Sequence, residues 1–177
     1  MNKFELHAFD VKLDKTTKVL TAIIVFVMLL AIYLLANRVI EHSYKEMLLE
    51  EIGLAVICFV LVICFVFSPR KLILTEKELI VRCRVYSRHI LIKDIVSCTY
   101  HSEFIDNSAI RLIASGGLWG YYGLFWNRKC GKFKAFFGDR SSTFTLKLVS
   151  GEIIVLGCEN SNVLMTKLLS LVINSER

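Results

Sequence analysis

The sequence predicts an α+β protein in which a two-helix transmembrane hairpin precedes an antiparallel β-sandwich or barrel capped by a C-terminal α-helix. Two uncharged apolar blocks, residues 19–36 and 52–67, predict the hairpin. Alternating apolar and polar residues predict strands after Pro69, and a change to helical spacing after Gly157 predicts the last helix. The resulting parts are an N-terminal strand segment at 1–18, the hairpin at 19–68 and a β domain at 69–177.

The two apolar blocks have nearly the length that a bilayer requires. The first spans about 27 Å as a helix and the second about 24 Å, a shortfall that local thinning or flanking residues can absorb. Buried helices of small soluble domains rarely run this long without a charge, so a pair of core helices is a poor alternative. A cleaved signal peptide is also disfavoured, because the first block is too long and no A-x-A-like site follows it.

Basic residues indicate how the hairpin is oriented. Four lysines precede the first block, and Arg70 and Lys71 follow the second, whereas the connection at 37–51 carries two basic residues and four glutamates. The positive-inside rule therefore predicts a protein integral to the plasma membrane, with both termini and the β domain in the cytoplasm. The connection has no Gly or Pro, so both helices are expected to extend outward and turn near His42-Ser43.

Short alternating segments separated by polar turns predict the strands of the β domain. Residues 143–148 alternate most clearly, which places Phe144, Leu146 and Leu148 toward a core. Ser150-Gly151 is expected to form a hairpin turn, and Asn160 or Ser161 is expected to cap the final helix. The predicted strand segments are 4–13 (with a bulge at Ala8-Phe9), 72–75, 78–85, 88–92, 95–100, 143–148 and 152–156.

The stretch SGGLWGYYGLFW at 115–126 combines four glycines with five large aromatic residues. It does not fit a nucleotide-binding loop, because strand-like residues rather than a helix follow the glycines, and no Walker lysine is present. A β-strand with a glycine bulge or bend is expected instead. Alternation places Trp119, Tyr121 and Phe125 on one face and Tyr122 on the other, with Phe133, Phe136 and Phe137 of the next strand as partial cover.

Much of the β domain resembles the bacterial PH-like (pleckstrin-homology-like) domain family. The resemblance lies in GGLWGYYGLFWNRKCGKFKAFFGDRSSTFTLKLVSGEIIVLGCEN and in RHILIKDIVSCTY, where a strand pair is joined by Lys93-Asp94, and it covers about residues 70–173. Two preceding transmembrane helices also look familiar for this family. The resemblance implies two roughly orthogonal antiparallel sheets closed at one end by the C-terminal helix. It implies no activity, because the family shares no catalytic residues.

No residue pattern typical of catalysis or metal binding occurs in the sequence. The four histidines fall in four separate segments, the carboxylates are scattered, and G-x-S-x-G and S-x-x-K are both missing. We therefore expect no enzyme activity, no metal site and no cofactor. The six cysteines contain no C-x-x-C and are expected to be free thiols. The basic residues around Cys130 can lower the pKa of its thiol, although an ordinary free thiol in a hairpin loop is favoured.

An excess of basic residues characterises the β domain. Residues 70–177 hold sixteen Lys and Arg against nine Asp and Glu, but no RNA- or DNA-binding pattern, so nucleic acid is not expected. A tethered domain can use such charge near anionic lipids, although a solvated basic face remains open. The surface predicted to contact membrane or a partner comprises Trp119, Tyr121, Phe125, Arg128, Lys129, Lys132 and Lys134.

The sequence as a whole predicts a membrane-anchored, non-enzymatic binding or scaffolding module. A protein partner or a second copy of the chain is the expected ligand. Two alternatives are recognition of anionic lipid headgroups at the cytoplasmic leaflet and a regulatory subunit of a larger membrane complex.

Overall fold

The structure is a computed structural model that describes the backbone of residues 7–38, 44–100 and 109–175 and the side chains of 7–34, 51–100 and 109–173. Its helices and strands are β1 (His7–Asp10), α1 (Lys15–Arg38), α2 (Tyr44–Phe67), β2 (Pro69–Leu74), β3 (Glu78–Cys83), β4 (Ser87–Leu91), β5 (Ile95–Tyr100), β6 (Ile110–Gly116), β7 (Tyr121–Asn127), β8 (Gly131–Phe137), β9 (Thr143–Leu148), β10 (Ile153–Gly157) and α3 (Ser161–Ser175).

The strands form two sheets. The first has the order β1-β2-β3-β4 and the second the order β5-β9-β10-β8-β7-β6. Neighbours pair antiparallel with one departure from the expected pattern, because β10 runs parallel to β8, with Val155 opposite Ala135. The predicted strands at 72–75, 143–148 and 152–156 are confirmed, with ends that differ by at most three residues. The C-terminal helix is confirmed as well.

The predicted pairing of 88–92 with 95–100 is wrong. A 3-10 turn at Ile92–Asp94 separates β4 from β5, and β5 leaves the first sheet to pair with β9 in the second. Buried Ile92 and Ile95 lie on either side of this crossover, both within the main core. Ile92 begins the turn and Ile95 begins β5, so both ends of the crossover are fixed in the core.

The main core lies between the two sheets. Phe144 and Leu146 are fully buried in it and Leu148 packs against it, as the alternation predicted. Leu164 and Leu168 of α3 complete the same cluster, so the helix closes one end of the sandwich. A second cluster covers the opposite face of the larger sheet, where Tyr121, Phe125, Phe133, Ala135, Phe137 and Val155 pack together.

The N-terminal segment joins the β domain as an edge strand. Its described part confirms the predicted strand at His7–Asp10, which pairs with β2 in continuous register, so the bulge expected at Ala8-Phe9 is wrong. Residues 4–6 lie outside the described part. Beyond the strand, Val11 N–H donates to the Arg70 carbonyl at 2.9 Å and Asp14 N–H donates to the Gly138 carbonyl at 3.0 Å. These bonds fix the start of α1 against the domain.

The two N-terminal helices leave most of their apolar side chains exposed. Within the described residues, one helix has the length and composition to cross a membrane, Lys15–Leu34, with a mean hydropathy of 2.4. The apolar part of α2 within the described residues, Glu51–Phe67, is shorter. The prediction of two spans is thus met by one helix, and the span at 52–67 stays a prediction. The turn expected at His42-Ser43 lies outside the described residues.

Candidate functional site: the joint between helix α2 and the β domain

Phe65, in the last turn of α2, is held from two sides by the β domain. The guanidinium carbon of Arg84 lies 3.9 Å from the centre of the Phe65 ring, and the Trp119 ring meets it edge-on with centroids 5.5 Å apart. Arg84 Nε also donates a hydrogen bond to Ser68 Oγ at 3.2 Å. A cation here is favoured both by the aromatic face and by the carboxyl end of the helix dipole. The β3–β4 loop and the β6–β7 turn therefore hold the same side chain.

Two tyrosines make further contacts with α2. The Tyr122 hydroxyl donates a hydrogen bond to the Cys64 carbonyl, one of the last carbonyls of the helix, which have no partner within it. Tyr86 packs on Phe67 with ring centroids 5.5 Å apart. Burial raises the pKa of Tyr122 well above its ordinary value, and burial likewise raises the pKa of Tyr86. Tyr122 therefore keeps its proton, and its hydrogen bond, at neutral pH.

The glycine-aromatic stretch forms a turn at this joint. The sequence predicts one bent strand here, but β6 ends at Gly116 and β7 begins at Tyr121. Gly117 N–H donates to the Gly120 carbonyl at 3.1 Å to close the turn. Trp119 adopts a φ of 52°, which is unusual for a bulky residue and persists only where surrounding contacts impose it. Its backbone N–H donates to Thr21 Oγ1 of α1 at 3.3 Å.

Two neighbouring grooves open beside the joint. The first, called here the junction groove, has a volume of about 400 Å³ and is almost entirely apolar; it is lined by Ile63, Cys64, Phe67, Tyr86, Ile113, Ala114, Ser115, Tyr122 and Gly123. The second, called here the cationic groove, has a volume of about 410 Å³ and is lined by Tyr86, Ser87, Arg88, Gly123, Leu124, Lys134 and Phe136. Both share Tyr86 and Gly123 as a common wall.

An ion-pair cluster stands at the cationic groove. Arg88 Nη2 donates a hydrogen bond to Glu152 Oε2 at 2.6 Å. The other carboxylate oxygen, Glu152 Oε1, lies 2.9 Å from Lys134 Nζ. Arg88 Nε is buried and has no hydrogen-bond partner among the described residues. Two cations thus share one carboxylate, which leaves a net positive charge and unused donors at the groove.

The structure disperses the residues that the sequence grouped into one surface. Tyr121 and Phe125 are buried, stacked on Phe137 and Phe133 with centroids 4.9 and 5.6 Å apart. The predicted cover by Phe133 and Phe137 is therefore confirmed, whereas Phe136 lies in the main core.

The remaining members of that surface lie at three places. Trp119 is at the joint, and Lys134 lines the cationic groove. Arg128, Lys129 and Lys132 are exposed at the opposite end of β7, about 20 Å along the strand from Tyr121. A surface contact by this basic tip stays a prediction. Sequence reasoning missed Arg84, Arg88 and Tyr86, which have no local signal because their partners come from distant segments.

Burial raises the pKa of several of the cysteine thiols. All six cysteines are free. Partial burial raises the pKa of Cys130, with smaller opposing contributions from a backbone hydrogen bond and Lys147, which agrees with the ordinary free thiol that the sequence favours over an activated one. Burial also raises the pKa of Cys98 and Cys158 to about 12. Among the described residues no group of three or more His, Cys, Asp or Glu is placed to hold a metal ion.

Comparison with known proteins identifies one family. The sequence model of the family described as "Bacterial PH domain" matches residues 70–172, more than half of the chain. No curated protein and no solved structure matches the chain. The matched region begins just after α2 and ends within α3, so it contains nine of the ten described strands and excludes β1, α1 and α2.

Proposed function

Because the chain belongs to the bacterial PH domain family, we propose that it is a membrane-anchored binding module without catalytic activity. Domains of this kind generally bind other molecules rather than transform them. The α1–α2 pair anchors the module, and the joint at Phe65 fixes the β domain against the membrane surface. Both termini and the β domain lie in the cytoplasm, as the distribution of Lys and Arg favours.

Exposed apolar surface on both helices carries the proposal of anchoring. Phe26 of α1 and Phe59 of α2 are each 66% exposed, in the company of many aliphatic side chains. Soluble monomers rarely expose apolar patches larger than a few hundred Å². A bilayer removes this cost for both helices, which supports two spans although α2 has the shorter apolar part.

The position of Trp119 supports the same arrangement. Its contact Thr21 lies three residues beyond Lys18, about 4.5 Å along α1. The Trp119 backbone therefore lies about one turn beyond Lys18, the last charged residue before the apolar block of α1, and its ring contacts Phe65. Tryptophan favours this boundary because its ring is apolar and its N–H needs a polar partner.

Cysteine accessibility tests the proposed topology. Single cysteines at Ser43 and Ser175 are introduced into a cysteine-free chain, and intact cells are treated with an impermeant thiol reagent. We expect labelling at position 43 and none at 175 until the cells are opened. Labelling of 175 alone in intact cells would exclude a cytoplasmic domain.

Isolation of the full chain tests the binding role. The chain is purified in mild detergent at low and at high salt, and accompanying proteins are identified. A protein partner held through apolar contacts is expected to survive high salt, because screening weakens only the charged contacts. Recovery of the chain alone under both conditions would count against a scaffolding role and leave lipid as the ligand to test.

A further inference from the structure

The junction groove opens where α2 leaves its apolar span. Ile63 and Phe67 form one wall in the last turn of the helix, and Ile113 forms part of the other wall on β6. Ile113 is 81% exposed, although it is a large aliphatic residue. In the proposed membrane arrangement, an apolar groove at this level is continuous with the hydrocarbon beside α2. Its natural contents are therefore hydrocarbon rather than water.

The cationic groove lies on the far side of Tyr86 and Gly123 from the helix. Arg88 and Lys134 line it, and Glu152 balances only one of their two charges. Arg88 Nε remains buried without a partner in the described part of the chain. A phosphate oxygen is a suitable acceptor for the accessible parts of the Arg88 and Lys134 side chains, which are 23% and 40% exposed, because guanidinium and ammonium groups bind it through charge-assisted hydrogen bonds.

Because the apolar junction groove and the cationic groove lie side by side, we infer that the joint binds one anionic phospholipid of the cytoplasmic leaflet. One acyl chain lies in the junction groove, and the phosphate lies on Arg88 and Lys134. The inference rests on the proposed membrane anchoring. A soluble acidic peptide fits less well, because it does not supply hydrocarbon at the end of α2. Glu152 acts as an internal counter-ion that the phosphate partly replaces.

Native mass spectrometry of the full chain in detergent micelles tests this site. The probes are phosphatidylglycerol, phosphatidylcholine with the same acyl chains, and glycerol phosphate without acyl chains. We expect a one-to-one adduct with phosphatidylglycerol, much less with phosphatidylcholine and none with glycerol phosphate. Equal adducts with both lipids would overturn the role of the two cations, and an adduct with glycerol phosphate would overturn the role of the acyl chain.

Variants with opposite expected effects separate binding from folding. Arg88→Gln with Lys134→Gln should weaken phosphatidylglycerol binding about tenfold or more, since two charged hydrogen bonds are lost. Glu152→Gln removes the same ion pairs but frees both cations, so it should strengthen binding about threefold or more. If the cluster had a purely structural role, phosphatidylglycerol binding would change in the same direction in both variants, and that result would overturn the proposal.

Two more variants test the location. Ile113→Glu places a charge at the junction groove and should weaken binding about fivefold or more, while its exposed position leaves the fold intact. Arg128→Gln with Lys132→Gln removes two charges at the distant hairpin tip and serves as the matched control, with no effect expected. An equal loss in this control would assign the lipid to the tip or to net charge.

Carbonate extraction separates this inference from the proposed function. A chain that stays in the membrane fraction but forms no lipid adduct is still anchored, so only the lipid site fails. A chain released by carbonate is not integral, and both proposals then fail.

Discussion

The ring of Trp119 meets the ring of Phe65 edge-on, with centroids 5.5 Å apart. One residue belongs to a tight turn of the β domain and the other to the last turn of α2. Arg84 covers the same Phe65 ring. The helices are thereby joined to the domain by side chains on two loops as well as by the short peptide at Ser68, so the domain is held directly against the helices.

Removal of the indole should loosen this joint. Trp119→Ala loses the aromatic pair, worth about 0.5–1.5 kcal/mol beyond burial, and should lower the thermal midpoint in detergent by a few degrees. Trp119→Phe keeps an aromatic ring, so its thermal midpoint should lie between those of the unchanged protein and Trp119→Ala. Hydrogen exchange at the β6–β7 turn should accelerate in Trp119→Ala, and unchanged exchange there would contradict the joint.

Loss of one hydroxyl should also weaken the end of α2. Tyr122→Phe leaves the Cys64 carbonyl without its donor, at a cost of about 1 kcal/mol. Tyr121→Phe is the matched control, because it keeps the ring stacked on Phe137 in the second cluster. Chemical denaturation in micelles compares the two variants. Equal losses would mean that the bond to Cys64 contributes nothing specific.

The contact between Gly138 and the N-terminal segment admits no side chain. A Cβ at position 138 would lie 2.3 Å from the Lys12 carbonyl oxygen, so Gly138→Ala must displace the segment that leads into α1. We expect a loss of about 1–3 kcal/mol, the usual cost of overpacking, and faster exchange of the Asp14 amide. Gly53→Ala, where a Cβ meets nothing within 4 Å, should cost nothing. Unchanged protection of the Asp14 amide in Gly138→Ala would contradict the close approach of the two segments.

Alkaline pH should reveal the partly buried thiol of Cys98. Burial raises its pKa from 9.0 to about 12 in the folded protein. The unfolded chain therefore loses this proton first, and stability that is fully present below pH 9 declines as the pH rises toward 12. Cys98→Ala should make the free energy of unfolding fall less steeply with pH in that window. The difference in slope is at most about 1.4 kcal/mol per pH unit, the value for one proton. Denaturation curves between pH 9 and 11 compare the proteins, and identical slopes would rule out the shift.

Local patterns in the sequence predicted several elements of the fold. The alternation of Thr143–Leu148 predicted a strand with Phe144 and Leu146 in the core, and both are fully buried. The motifs around SGGLWGYYGLFW also predicted the family that the comparison identifies. These features depend on neighbours within a few residues, so a periodic sequence is sufficient to reveal them.

By itself, then, the sequence determined the strand and helix periods, the apolar blocks and the family. Only the tertiary structure decided that β5 changes sheets, that Tyr121 and Phe125 point inward while Trp119 reaches α1 and α2, and that Arg88 and Lys134 share Glu152. Each of these outcomes joins residues far apart in the chain. Their energies come from packing and charge pairing across that distance, which no local spacing encodes.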